Sequence, residues 1–164
     1  METLKNQICM EFEAISENER LARVVIAAFL AGIDPTIDEL EDVKTAVSEA
    51  VTNAIIHGYK ERGGKVILRA TISADGELAV DIIDHGVGII NVEQAMQPLF
   101  TTGTPNERSG MGFSFMEAFM DRLDVESRPG EGTCVHMWKR FEERKPVETK
   151  PILQAAVWNR SGRE

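Results

Sequence analysis

Three polar residues, Glu49, Asn53 and His57, recur at intervals of four in a segment that otherwise has the apolar spacing of a buried helix. Four residues advance a helix by about 6 Å and return the chain to nearly the same face, so the three side chains form one stripe. A carboxylate and a carboxamide on successive turns suit a site for Mg²⁺ and a phosphate-bearing ligand, with Asn53 as the oxygen ligand and Glu49 as a base. Taken alone, the stripe is equally consistent with a solvated helix edge.

A first glycine motif, which contains Gly86 and Gly88, begins at Asp84, directly after a predicted strand. Two glycines at this spacing let a backbone approach a flat ligand where a Cβ would not fit. A carboxylate at a strand end can accept a hydrogen bond from an exocyclic amine such as that of adenine. Without other evidence, a glycine-rich turn of this length is more often only a turn.

A second glycine motif runs from Arg108 to Gly112 and leads into a predicted helix. Glycines before a helix start expose backbone N–H groups and the positive end of the helix dipole, which together attract anions. Arg108 adds a forked cation that matches a phosphate oxygen. The segment 98–105 between the motifs has no structural period, and long loops of this kind often act as lids.

The elements that must position these residues follow from periodicity and turn signals. They are a strand at 6–14, a helix from Ser16 to about Gly32, a helix from Thr36 to Gly58, a hairpin of 65–73 and 77–83 around Asp75 and Gly76, a short helix at 92–96, a helix at 113–122 and a strand at 132–138. Ser16 with Glu19, and Thr36 with Glu39, have the pattern of capping boxes. Gly58 is expected to end its helix in a left-handed conformation.

Helices and strands are segregated in this order rather than strictly alternating, and one strand pair is antiparallel. The sequence therefore predicts an α+β two-layer sandwich, with a mixed, mostly antiparallel sheet and helices on one face. Residues 1–141 are expected to form one domain and residues 142–164 a flexible tail.

Composition excludes several classes of function. The net charge of −9 argues against general nucleic-acid binding, which requires cations that neutralise phosphates. No apolar run is long enough for a bilayer span and no signal peptide is evident, so a soluble cytoplasmic protein is expected. Cys9 and Cys134 fall in apparent strands and are expected to be reduced, buried and structural.

The histidines do not predict a metal centre. His57 lies about 12 Å along the helix from Glu49, too far to share a metal ion easily, and is expected to be structural. His85 and His136 have no partners at ligand spacing, so no zinc site is predicted.

The polar stripe of Glu49, Asn53 and His57 and the two glycine motifs are more specific together than any one of them alone. The sequence resembles the GHKL superfamily of ATPases and kinases over roughly residues 5–140. Three blocks are similar in particular to a branch of anti-sigma factors with serine kinase activity: Val47–Tyr59, Gln97–Thr102 and Glu107–Phe113.

The resemblance implies a role for each motif residue. Glu49 would be the catalytic base, Asn53 the Mg²⁺ ligand and Asp84 the acceptor for the adenine amino group. The other nucleotide contacts would come from Gly86, Gly88, Thr101, Thr102, Arg108, Ser109, Gly110 and Gly112. Arg23 and Arg108 would contact a protein partner.

The function implied by the resemblance is that of a switch that binds ATP or ADP with Mg²⁺. It would sequester a sporulation sigma factor of the sigma F type and phosphorylate an anti-anti-sigma protein on serine, as a homodimer. Two alternatives stay open. One is a nucleotide-gated binding module without meaningful kinase activity. The other is a detached histidine-kinase ATPase domain, which is weaker because no helical hairpin with a phospho-accepting histidine is evident.

Overall fold

A five-stranded sheet with the order β1-β2-β3-β5-β4 forms one layer of the computed structural model, which describes residues 4–98 and 111–142. The strands are β1 (Leu4–Glu13), β2 (Lys65–Ser73), β3 (Glu77–Asp84), β4 (Arg122–Arg128) and β5 (Gly132–Arg140). Each neighbouring pair within these ranges is antiparallel. The predicted hairpin is confirmed, and Gly76 adopts a φ of +83° in its turn, a conformation that favours glycine.

The second layer consists of helices. They are α1 (Glu17–Leu30), α2 (Ile37–Asn53), α3 (Val92–Ala95) and α4 (Gly112–Phe119), with a 3₁₀ turn at Ala31–Ile33 and a π-helical turn at Ala54–Gly58. The predicted α+β two-layer class is thereby confirmed. Among these helices none is long and apolar enough to cross a membrane.

The core lies between the two layers. Alternate residues of the central strands face the helices, among them Leu68 and Ile82, which are at most 1 % exposed. Val43, Val47 and Val51 on α2 are fully buried against them. Burying a side chain of this size stabilises the fold by about 1.5–3 kcal/mol, so this seam fixes the position of α2 over the sheet.

The two predicted capping boxes differ in outcome. At α2 the box is present: the Glu39 backbone N–H donates to Thr36 Oγ1 at 3.1 Å, and the Thr36 N–H donates to Glu39 Oε2 at 2.7 Å. At α1 the prediction is wrong, because Ser16 already has helical dihedrals and makes no side-chain cap hydrogen bond. Its intended partner Glu19 instead accepts a hydrogen bond from the hydroxyl of Ser48.

The predicted left-handed ending at Gly58 is also wrong. The chain continues beyond Asn53 as a π-helical turn, and Gly58 does not have a positive φ. The left-handed residues are Lys60 and Glu61, with φ of 53° and 57°. The reversal therefore occurs two residues later than predicted.

The C-terminal half contains a strand that the sequence did not predict. The helix expected at 113–122 ends at Phe119, and Arg122–Arg128 is β4. The sequence signal for β4 is weak, because only Leu123 and Val125 give this strand an apolar face. The strand expected at 132–138 extends to Arg140 as β5.

Both cysteines lie on strands and are free thiols, as expected. The expectation that they are buried is wrong for Cys9, which is exposed on the edge strand β1, while Cys134 on β5 is half-buried. The predicted lid region beyond residue 98 and the predicted tail beyond residue 142 lie outside the described residues.

Candidate functional site

A cleft of about 730 Å³ opens between the C-terminal end of α2, the loop after β3, the short helix α3 and the start of α4. Its volume falls in the range of small-ligand and cofactor sites. Five of the predicted site residues line it: Glu49, Asn53, Asp84, Gly88 and Gly112. These residues are far apart in sequence, and the fold brings them to one cavity.

Glu49 and Asn53 meet the start of α4. Both are half-buried on one face of α2, as their spacing predicted. A Cβ built on Gly112 would lie 3.2 Å from Glu49 Oε2 and 3.3 Å from both Asn53 Oδ1 and Asn53 Nδ2. The carboxylate and the carboxamide are therefore grouped at the N-terminal end of a helix, where backbone N–H groups favour anionic ligands.

Asp84 lies at another part of the cleft, at the end of β3, and is only 6 % exposed. Its Oδ1 accepts the backbone N–H of Gly86 at 2.9 Å. Burial raises the pKa of Asp84, while hydrogen bonds from the backbone of Gly86 and Thr133 and the charge of His85 act in the opposite direction. An acidic group held in such surroundings is a strong candidate for ligand recognition.

Gly86, two residues after Asp84, is required by packing within the protein. A Cβ on Gly86 would lie 2.1 Å from the carbonyl oxygen of Gly58. The next residue, Val87, donates its N–H to the same oxygen at 2.8 Å. The sequence predicts glycine here so that the backbone can approach a ligand, and that stays a prediction. The structure gives a separate reason for glycine: the loop packs against the end of the helix layer.

Tyr59 fixes the same loop from the other side. Its hydroxyl donates to the carbonyl of Lys65 and accepts the backbone N–H of His85 at 2.8 Å. The sequence interpretation did not single out Tyr59 or Thr133 as site-forming residues. Thr133 is 49 residues from Asp84 along the chain, and only the pairing of β3 with β5 brings the two together.

The remaining walls of the cleft are mostly apolar. They are formed by side chains from the sheet, the loop after β3 and the start of α4, including Ile82, Val135, Ile89, Met111 and Phe113. His57 lines the cleft as well. A flat aromatic ligand would be covered by this surface while a few polar groups orient it.

Not all predicted site residues can be placed. Five of them lie outside the described part of the chain: Thr101, Thr102, Arg108, Ser109 and Gly110. Arg23 lies on α1 and does not line the cleft. Its side chain is 40 % exposed and approaches Glu19 to 3.9 Å.

Comparison with known proteins gives the class to which this fold and cleft belong. The family model of the histidine kinase-like ATPase domain matches residues 12–139. This chain belongs to that family, a part of the GHKL superfamily.

Comparison with individual relatives is more specific than the match to the family model. The anti-sigma F factor of Clostridium acetobutylicum is 54 % identical over 138 residues, which are 84 % of this chain and 96 % of the relative. That of Clostridium beijerinckii is 57 % identical over 137 residues, covering 83 % and 95 %. That of Bacillus licheniformis is 52 % identical over 145 residues, covering 88 % and 99 %. The chain is thus closely similar to anti-sigma F factors over nearly their whole length.

Solved structures agree on the fold. The RsbU and RsbW domains of Rv1364c from Mycobacterium tuberculosis superpose with a TM-score of 0.59 at 20 % identity, over 83 % of this chain and 32 % of that one. The mycobacterial sensor histidine kinase MprB superposes with a TM-score of 0.52 at 17 % identity, over 81 % and 97 %. At these identities the likeness concerns architecture alone.

Proposed function

We propose that this chain is an ATP-dependent anti-sigma factor that phosphorylates its anti-anti-sigma partner on serine. In this proposal the cleft binds ATP with Mg²⁺, and the same chain sequesters a sigma factor of the sigma F type. The observation that carries the proposal is the grouping of Glu49, Asn53 and Gly112 in one cavity with the buried carboxylate of Asp84.

Asp84 is assigned to the adenine end of the ligand. Its carboxylate accepts a hydrogen bond from the exocyclic amine, and the apolar wall around Ile82 and Val135 covers the ring. Because the site is buried, a ligand without that amine would leave Asp84 with a costly unmet hydrogen bond. The pocket would therefore select adenine over guanine.

The triphosphate is assigned to the end of the cleft formed by α2 and α4. Gly112 begins α4, so its neighbouring backbone N–H groups can bind phosphate oxygens. The metal-binding atoms that α2 offers are carboxylate and carboxamide oxygens, which fit a hard cation such as Mg²⁺. Asn53 would be its protein ligand. When bound, Mg²⁺ would neutralise charge on the phosphate oxygens.

Glu49 is assigned as general base. As the serine oxygen bonds to the γ-phosphorus and the bond to the ADP oxygen breaks, Glu49 takes the hydroxyl proton. A general base of this kind contributes about 10²–10⁴-fold to the rate. The half-buried position of Glu49 beside Gly112 supports this assignment.

Sigma-factor binding is supported by the anti-sigma F names of relatives at 50–57 % identity. The surface of α1 supports a protein contact: Leu21 and Val24 are 42 % and 66 % exposed on either side of Arg23. Exposed apolar side chains beside a cation are typical of binding surfaces. A homodimer in the cytoplasm completes the proposal.

The kinase proposal is tested by incubating the purified chain with γ-labelled ATP, Mg²⁺ and a candidate anti-anti-sigma protein. We expect labelled phosphoserine on that protein, and Glu49→Gln should reduce its rate of formation by about 10²–10⁴-fold. Asp38→Asn removes an exposed carboxylate from the same helix and serves as the control. Tight ATP binding without any phosphoserine would favour a nucleotide-gated binding module instead.

The anti-sigma proposal is tested separately by co-elution with a sigma factor in ATP and in ADP. We expect Glu49→Gln to retain the sigma factor, since the base acts only in phosphoryl transfer, while Arg23→Ala releases it. Failure of the unmodified chain to retain any sigma factor with either nucleotide would contradict this part of the proposal.

A further inference from the structure

A second cluster of polar side chains lies on the opposite face of the sheet from the cleft. His136 on β5 pairs directly with Asp81 on β3, and its Nδ1 is 2.8 Å from Asp81 Oδ1. Cys134, two residues earlier on the same face of β5, places its Sγ 3.7 Å from that nitrogen. Asp81 is 55 residues from His136 along the chain, so sequence spacing gave no sign of this cluster.

The three ligand atoms lie within 4.8 Å of one another. In a tetrahedral zinc site, bond lengths of about 2.0–2.3 Å separate neighbouring ligand atoms by roughly 3.3–3.6 Å. The sulfur–nitrogen distance of 3.7 Å exceeds that separation by about 0.1 Å, and the nitrogen–oxygen distance of 2.8 Å needs to open by about half an ångström. The sulfur–oxygen distance is at most 4.8 Å and has to close to the same separation.

We propose that Asp81, Cys134 and His136 form a binding site for Zn²⁺ on the open face of the sheet, by which we mean the face that the described helices do not cover. The ligand set is one thiolate, one imidazole and one carboxylate, all of them common zinc ligands. The fourth position is left to water or to a neighbouring carboxylate. All three residues are half-buried, so the ion can enter from solvent.

The electrostatic surroundings favour a cation. Glu126 and Asp124 on β4 lie directly opposite Cys134 and His136 in the register, on the same face. Arg69 on β2 pairs with Asp81 in the register and carries the opposing charge. Asp81, Asp124 and Glu126 thus place three carboxylates around the cysteine and the histidine, and negative charges at this spacing stabilise a divalent cation.

The zinc site and the nucleotide cleft are separate in position and in chemistry. Val135, which lies between Cys134 and His136 in β5, points to the other face and lines the cleft. A thiolate and an imidazole select Zn²⁺, whereas the oxygen donors of the cleft suit Mg²⁺. The alternative to a zinc site is a metal-free network. In that network His136 is held by Asp81 and stacks on Trp138 with ring centroids 5.9 Å apart.

The test is a Co²⁺ titration of the full chain, stripped of metals and nucleotide and kept reduced with a phosphine. Cobalt in a four-coordinate site with a thiolate gives intense visible bands and a sulfur-to-metal charge-transfer band in the near ultraviolet. We expect both bands to saturate at a single ion per chain and Zn²⁺ to abolish them by displacement. Zinc should also raise the thermal unfolding midpoint, because it binds the folded state.

The variants make the assignment specific. Cys134→Ser should abolish the charge-transfer band, and His136→Gln should weaken cobalt binding at least tenfold. Cys9→Ser is the matched control, since Cys9 is an exposed thiol on β1 of the same sheet, and it should leave both bands unchanged. Circular dichroism verifies that each variant is folded.

Two results would overturn the proposal. One is the absence of a charge-transfer band from the folded, reduced chain at saturating cobalt. The other is a band that persists in Cys134→Ser or disappears in Cys9→Ser. Either outcome leaves the proposed kinase function untouched, because labelled ATP transfer is measured with Mg²⁺ alone.

Discussion

The α-carbon of Gly58 lies against the carboxylate of Asp84, and a methyl group in place of its hydrogen would be 2.8 Å from Oδ1 and 2.9 Å from Cγ. Gly58 ends the π-helical turn that follows α2, and Asp84 ends β3. The contact therefore joins the helix layer to the sheet in the wall of the cleft, which both residues line. Extra residues of π-helical geometry are frequent at functional sites, and here the turn delivers Gly58 to Asp84.

Gly58→Ala should displace the Asp84 carboxylate, because real Cβ atoms do not approach so closely. We expect a loss of stability of about 1–3 kcal/mol, the usual cost of overpacking, and at least a tenfold weaker affinity for ATP by calorimetry. Gly32→Ala is the control, since a Cβ there meets nothing within 4 Å. If Gly58→Ala binds ATP as tightly as Gly32→Ala, the contact does not govern the site.

Asp84→Asn should separate stability from binding. Burial favours the protonated carboxyl, so the folded-state pKa of Asp84 lies above its unfolded value of about 3.9. The corresponding stability is present below the unfolded pKa and is lost as the pH rises through the folded pKa. At pH 7 the neutral amide avoids this loss, and its one oxygen can still accept the N–H of Gly86, although it cannot replace both carboxylate oxygens toward Gly86 and Thr133.

We therefore expect nucleotide-free Asp84→Asn to be more stable than the unmodified chain in urea at pH 7. The difference should shrink as the pH is lowered toward about 4. ATP should bind about 10–100-fold more weakly, as expected for a lost hydrogen bond to a charged group. The quantity to compare is the free energy of unfolding of Asp84→Asn minus that of the unmodified chain. If this difference is smaller at pH 7 than at pH 4.5, the assigned effect of burial is contradicted.

Gly112→Ala tests the meeting of α2 and α4. Alanine is about 1 kcal/mol better than glycine in a helix interior; Gly112 is the first residue of α4, so little of this difference applies and the fold should be about as stable as the unmodified chain. The new methyl group would nevertheless crowd the ends of Glu49 and Asn53 at 3.2–3.3 Å. We expect a reduced rate of phosphoryl transfer to the partner in a fully folded protein, measured by single-turnover kinetics beside urea unfolding.

A fourth prediction compares Ser16 and Thr36, which each precede a helix. Thr36→Ala removes an observed capping box and should destabilise the fold by about 1 kcal/mol. Ser16→Ala removes no side-chain cap hydrogen bond and should be close to neutral. Chemical denaturation of both variants checks the pair, and equal losses would mean that Ser16 caps α1 in solution after all.

This pair also illustrates how far local sequence predicts structure. The patterns at Ser16 and Thr36 are the same, and sequence alone cannot rank them. At α1 the hydroxyl of Ser48, which is 29 residues away on α2, takes the carboxylate of Glu19. A long-range hydrogen bond therefore replaces the local one, and the choice depends on packing between helices.

The same limit explains the other differences. β4 was missed because its outward residues, such as Asp124 and Glu126, lie on the open face and give no apolar signal. By contrast, the spacing of Glu49 and Asn53 sufficed to place both on one helix face, because helical geometry is local. That they share a cleft with Asp84 and Thr133 depends on strand order, which no local pattern encodes.

The strand order has a consequence for how the protein is made. β5 is the last strand within the described residues, yet it lies between β3 and β4 rather than at an edge. Because Thr133 and Val135 of β5 also line the cleft, a nascent chain cannot assemble this pocket until β5 has emerged from the ribosome. Nucleotide can therefore stabilise the protein only once synthesis of the sheet is complete, and shorter translation products gain nothing from it.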